Sequence, residues 1–184
     1  MLSIPGTGAW TLRLRERANF ARFAAIHAAA LSVFAMPFER PLVWWLVTSY
    51  VVRMFGVTAG YHRYFSHRSY RLGRVPQFLM AVLAQTSGQK GVLWWAAHHR
   101  DHHRYSDMPE DVHSPHEGFW WSHVGWILST RFDAYDPKRV ADFGRYRELR
   151  WLDRHHWVPT VACAGAIWAV GGFGAWPGWG EGWA

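Results

Sequence analysis

Histidine carries the chemistry this sequence offers. The chain has 184 residues and 12 His, nine of which fall between residues 62 and 123. Two clusters stand out: His62-Arg-Tyr-Phe-Ser-His67 and His98-His99-Arg100-Asp101-His102-His103. In the second, His99, His102 and His103 have the i, i+3, i+4 spacing that puts side chains on one face of a helix. Three neutral imidazoles on one face can ligate a transition metal. His62 and His67 are five apart, so on a straight α-helix they diverge by about 140°. They converge on a metal only if the helix ends or turns between them. Zinc takes imidazole but typically has three or four protein ligands. Five candidates in one region point to more than one metal ion, and an all-imidazole set also suits iron. The competing reading is a chance run of His on a solvated surface. It fits poorly with five residues placed at the mouths of apolar segments.

Those segments must position the clusters. Half of the chain is hydrophobic, with 14 Trp, yet the mean hydropathy is only −0.16. Trp, Tyr and His score as polar although their rings suit a membrane interface. The apolar residues come in blocks, predicting an all-α integral membrane protein with spans over about 19–37, 41–61 and 158–179. The first two, joined by a turn at Phe38–Pro41, form a hairpin. The residues after the second span then emerge on the same side as the N-terminus. Shorter runs at 76–84, 92–97 and 118–128 read as dipping or interfacial segments, and 131–150 as a soluble, charged stretch. Together these predict one domain over 1–184, with a His-rich cap. The formal charge is +7. Arg13, Arg15, Arg17 and Arg22 precede or open the first block, and Arg63, Arg68, Arg71 and Arg74 follow the second. That flanking pattern argues against a nucleic-acid partner and places both clusters on the cytoplasmic face. Arg53, deep in the second block, reads as facing inward. His27 reads as a hydrogen-bonded core residue, and the single Cys, Cys163, as a small buried hydrophobe. No secretory signal is expected, because the first block begins near residue 20 and lacks a small-residue cleavage site.

Three stretches, GVTAGYHRYFSHRSY (56–70), HHRDHHRYSD (98–107) and GFWWSHVGWIL (118–128), resemble the membrane acyl-CoA desaturases of the stearoyl-CoA delta-9 type. The resemblance runs from about residue 41 to about residue 160. It implies two iron ions held by His62, His67, His99, His102 and His103, with no further catalytic side chains. The implied reaction is O2-dependent introduction of a cis double bond into a fatty acyl-CoA within membrane lipid. Electrons would come from an external donor of the cytochrome b5 or ferredoxin type. His98 stands where many relatives have Asp and is not counted. His123 reads as structural, and His113 and His116 as loop or supporting residues. His155 and His156 read as interfacial. Asp101, Asp107, Glu110 and Asp111 are candidates to orient ligand imidazoles, or else ordinary loop acids.

The sequence departs from the family where a third His box is expected, because no His follows His156. Gly180-Glu181-Gly182-Trp183 is either the opening of that box or a coincidence in a tail rich in Gly and Trp. Five ligands would leave two irons under-coordinated, so an incomplete and inactive membrane fragment is one alternative. A related di-iron lipid hydroxylase or alkane desaturase is another. A zinc hydrolase is disfavoured, because no His-Glu-x-x-His arrangement occurs.

Overall fold

The computed structural model describes residues 8–35 and 40–172, and among them there is no strand. The longer α-helices are α1 (Ala9–Leu31), α2 (Arg40–Phe55), α3 (Arg74–Gln85), α4 (Val92–Tyr105), α5 (Arg147–Arg154) and α6 (Trp157–Gly172). α2 runs without a break into a π-helix, Gly56–Ser66. The all-α expectation is met. Among the described residues, two helices are long and apolar enough to cross a membrane, Trp10–Ala35 and Leu42–Ser66. Both turn large apolar side chains outward, including Phe20, Ile26 and Leu31 on the first and Trp44, Leu46 and Tyr50 on the second. A helix satisfies its own backbone hydrogen bonds, as hydrocarbon requires.

Helix boundaries differ from the sequence expectation. The basic lead-in is already helical from Ala9, because Leu, Arg and Glu at 12–17 are good helix formers. The second helix continues to Ser66 instead of ending near Tyr61. The turn at Phe38 and Glu39, the end of the third apolar segment and Gly180–Trp183 lie outside the described residues. α6 covers Trp157–Gly172 of that third segment. The charged stretch 131–150 is also largely helical, in short turns at Pro137–Val140 and Ala141–Gly144.

The chain divides into two compact units, one built from Met1–Val47 and His98–Arg139, the other from Thr48–Ala97 and Val140–Ala184. In the first unit, polar contacts anchor the start of α1. Glu16 Oε1 accepts from Thr130 N–H at 3.1 Å and Thr130 Oγ1 at 3.0 Å. Arg15 pairs with Asp133 at 2.7 Å, and Asn19 Nδ2 donates to the Leu128 carbonyl. His27 is exposed, its Nδ1 2.8 Å from the Phe23 carbonyl oxygen. It is hydrogen-bonded as expected but is not a core residue, because a single turn of its own helix satisfies it.

In the second unit, α3 packs on the π-helix. α3 buries Gln77, Ala81, Ala84 and Gln85, one helical stripe. A Cβ on Gly56 would come within 3.1 Å of the Ala84 and Leu83 backbone, so the close approach requires glycine there. Tyr61, Tyr64 and Phe65 fill the core, with Phe143 packed against the last two rings. The Val92–Ala97 run is mostly buried inside the unit rather than laid on its surface. Its first turn is held by Asp153, whose Oδ1 accepts from the Leu93 and Trp94 N–H groups at 2.9 Å each. Gln85 Nε2 donates to the Leu152 carbonyl at 3.0 Å, and Thr160 Oγ1 donates to the Gln85 carbonyl at 2.8 Å. Arg53 faces inward, its Nη2 3.8 Å from Cys163 Sγ. Cys163 is therefore a half-buried acceptor beside a cation, not a plain buried hydrophobe.

Candidate metal centre

The first cluster converges where the helix both widens and ends. The π-helix runs to Ser66 and His67 is its C-cap residue, so the expected helix end does fall between the two histidines. In a π-helix the hydrogen bonds run i→i+5, and His67 N–H donates to the His62 carbonyl at 3.0 Å. The wider turn brings residues five apart closer to one face than an α-helix does. The two Nε2 atoms stand 3.1 Å apart, with ring centroids at 4.5 Å. Core packing holds this wide helix in place. Tyr61 and Tyr64 donate from their hydroxyls to the Lys90 carbonyl at 2.7 Å and to Gln77 Oε1 at 2.9 Å. Ser66 Oγ donates back to the Tyr61 carbonyl at 2.8 Å.

In the other unit, the last turns of α4 carry the second cluster. His99 and His103 lie one turn apart, and their Nε2 atoms are 3.0 Å from each other. His102 is held differently. Its Nδ1 lies 3.0 and 3.1 Å from the two oxygens of Asp111. The Asp111 side chain is fully buried and also accepts from the N–H groups of His113 at 3.2 Å and Asp107 at 3.3 Å. Burial pushes the Asp111 carboxyl up, but the hydrogen bonds from His102 and those two N–H groups outweigh it. The carboxyl therefore stays below its ordinary range. A carboxylate on Nδ1–H fixes the ring and leaves Nε2 to act as the basic nitrogen. The His113 ring stacks on His102 with centroids at 4.1 Å, and burial followed by the neighbouring His102 lowers its basicity. His102, Asp111 and His113 offer ligand atoms within 4.8 Å of one another.

The other sequence candidates do different work. Asp101 lies 2.7 Å from Arg139 Nε, an ion pair by distance without the alignment of a hydrogen bond. Asp107 contributes its N–H, from a left-handed backbone at φ 61°. Glu110 is exposed. His98 is buried with Nε2 3.1 Å from the Phe132 carbonyl, a structural role. His116 bonds through its backbone N–H to Ser114 Oγ, and His123 Nδ1 faces the Phe119 carbonyl at 2.9 Å. His155 Nδ1 lies 3.0 Å from the Trp151 carbonyl, and the His156 carbonyl accepts from Gln85.

The donor set fits a metal. Two imidazole nitrogens bound at right angles to one ion, each about 2.1 Å away, stand about 3.0 Å apart. The spacings of 3.1 and 3.0 Å match that separation. All-nitrogen donors with a carboxylate behind one ring suit a redox-active ion such as iron.

A family profile described as fatty acid desaturase matches residues 39–184. The human stearoyl-CoA desaturase is 38% identical over 123 residues, 65% of this chain and 34% of the relative. The acyl-CoA 5-desaturase AL21 of Anemone leveillei is 31% identical over 152 residues, 80% of this chain and 47% of the relative. The sn-1 stearoyl-lipid 9-desaturase of Synechocystis sp. is 31% identical over 158 residues, 84% of this chain and 49% of the relative. The chain spans at most about half the length of these curated relatives.

Proposed function

The chain belongs to the fatty acid desaturase family, and from that premise we propose that its histidines supply part of a di-iron centre that desaturates fatty acyl-CoA. The proposed ligands are His62, His67, His99, His102 and His103. The reaction removes two hydrogens from adjacent acyl methylenes, most simply at the delta-9 position, and leaves a cis double bond. O2 takes those two hydrogens together with two further electrons and two protons, giving two waters. The electrons come from an external carrier of the cytochrome b5 or ferredoxin type. Iron, when bound, supplies the oxidising power needed to break an unactivated C–H bond. The chain's own residues hold and orient. The π-helix brings His62 Nε2 to 3.1 Å from His67 Nε2, and Asp111 fixes the His102 ring from behind. The protein is read as multi-pass, with the two His clusters on the cytoplasmic face.

The carrying observation is the pair of imidazole couples at 3.1 and 3.0 Å, each with the separation of adjacent metal ligands. The test is iron retention by the purified protein after anaerobic loading and desalting, combined with acyl-chain analysis of membranes that express it. Iron is expected to be retained, and lost in His62→Ala/His67→Ala and in His99→Ala/His103→Ala. A cis-monoenoic product that depends on both couples supports desaturation, whereas a hydroxylated acyl product would sink that reading. A protein that retains no iron and yields no acyl product would sink the di-iron reading.

A further inference from the structure

The exposed face of α5 has a composition that the chemistry at the histidines does not use. α5 buries Leu149 and Leu152, at 0 and 1% exposure, and that fixes its orientation. The opposite stripe is Arg147, Arg150, Trp151 and Arg154, spaced i, i+3, i+4, i+7, and all four are exposed. Trp151 is half exposed and leans on His155, with ring centroids at 4.9 Å. Two residues further on, Trp157 opens the apolar α6, which turns Val161, Ile167 and Trp168 outward. An amphipathic ring at the start of a lipid-facing helix marks the headgroup level. Guanidinium groups beside it match phosphate in charge and in bidentate geometry.

We propose that the Arg147–Arg150–Trp151–Arg154 face of α5 docks on the phosphates of an anionic phospholipid leaflet. Two observations favour a membrane over a soluble partner: the tryptophan within the basic stripe, and its continuity with the outward apolar surface of α6. A surface built for a soluble acidic molecule needs no such apolar neighbour. The inference is independent of the metal chemistry.

The test compares thermal unfolding of the full chain in nanodiscs of phosphatidylcholine and of equimolar phosphatidylcholine and phosphatidylglycerol. The wild-type midpoint is expected to rise in the anionic discs. Replacing Arg147, Arg150 and Arg154 with Gln should abolish most of that rise, and replacing them with Lys should keep most of it. Arg150 Nη1 also donates to the Gly144 carbonyl at 2.6 Å. A general loss of stability from that bond would lower both midpoints and leave their difference intact. Lys138→Gln, outside the stripe, should leave the difference unchanged. An undiminished difference in the triple Gln variant overturns the proposal. So does a rise in zwitterionic discs on adding soluble coenzyme A or an acidic carrier protein, if the same three arginines are needed for it.

Discussion

At the scale of residues, Asp111 connects sequence chemistry to site geometry. Its buried carboxylate gathers the His102 ring and two backbone N–H groups. Asp111→Ala leaves those donors unmatched, so unfolding should become easier by about 1–3 kcal/mol, read as a lower thermal midpoint. Iron affinity should fall by about 10–100-fold, the usual effect of losing a group that orients a ligand, measured by competition with a chelator. Asp101→Asn should change iron affinity far less, because Asp101 serves Arg139. Arg74 and Glu148 give a prediction in pH. Arg74 meets Glu148 through two hydrogen bonds, at 2.6 and 2.9 Å. The Arg74 hydrogen bond holds the Glu148 carboxyl at about 2, against its ordinary 4.5. A depressed folded-state value stabilises above the ordinary value, and the contribution is lost as pH falls through about 2. Glu148→Gln should therefore lower the thermal midpoint slightly at neutral pH, since the pair is exposed. The gap from wild type should close as the titration approaches pH 2. The histidines were legible in the sequence because their types and spacing are local. Asp153 was not, since it acts on Leu93 across 60 residues.

At the scale of elements, the π-helix is what the sequence concealed. Periodicity distinguishes helix from strand, but not one helical repeat from another within eleven residues. The i, i+5 spacing of His62 and His67 was the available signal, and it is met by a wider turn at the helix end, with His67 as the C-cap residue. Close packing against α3 sets the conditions for it. A methyl on Gly56 would meet backbone of Ala84 and Leu83 at 3.1 Å, which cannot swing aside, whereas at Gly60 it would first meet the Met80 side chain. Gly56→Ala should cost about 1–3 kcal/mol, as overpacking does, and Gly60→Ala clearly less. Thermal unfolding in detergent ranks the two, and equal effects would contradict the packing account. The start of α4 gives a coupled case. A Cβ on Gly91 would clash with Asp153 Oδ1, the atom that caps Leu93 and Trp94. Asp153→Ala should cost about 0.5–2 kcal/mol, as a lost cap does. Gly91→Ala should cost more alone than in the Asp153→Ala background, because the side-chain part of the clash goes with the carboxylate while Asp153 Cα, 2.8 Å from the added Cβ, stays.

At the scale of the whole molecule, windowed hydropathy conveyed more than the average. A mean of −0.16 describes a chain in which two helices among the described residues meet the length and apolarity of a span. The division into two units was not legible, because each is assembled from stretches far apart in sequence. The boundary even falls within α2, between Val47 and Thr48, and within α4, between Ala97 and His98. Sidedness is where charge placement makes its strongest claim. The segment after the second apolar helix carries Arg63, Arg68, Arg71 and Arg74, with no acidic residue between 62 and 74. Such an excess next to a span sets orientation, and anionic cytoplasmic lipid adds about 1 kcal/mol of attraction per basic residue. Cys163 is the single cysteine, so Cys163→Ser gives a silent background that keeps a polar atom near Arg53. Ser69 is exposed in the segment that follows His67. In that background, Ser69→Cys should react with a membrane-impermeant maleimide in inside-out vesicles and stay unreactive in intact spheroplasts. Labelling from the outer side instead would put His62 and His67 on the wrong face for a cytoplasmic electron donor, and the proposed chemistry would lose its source of electrons.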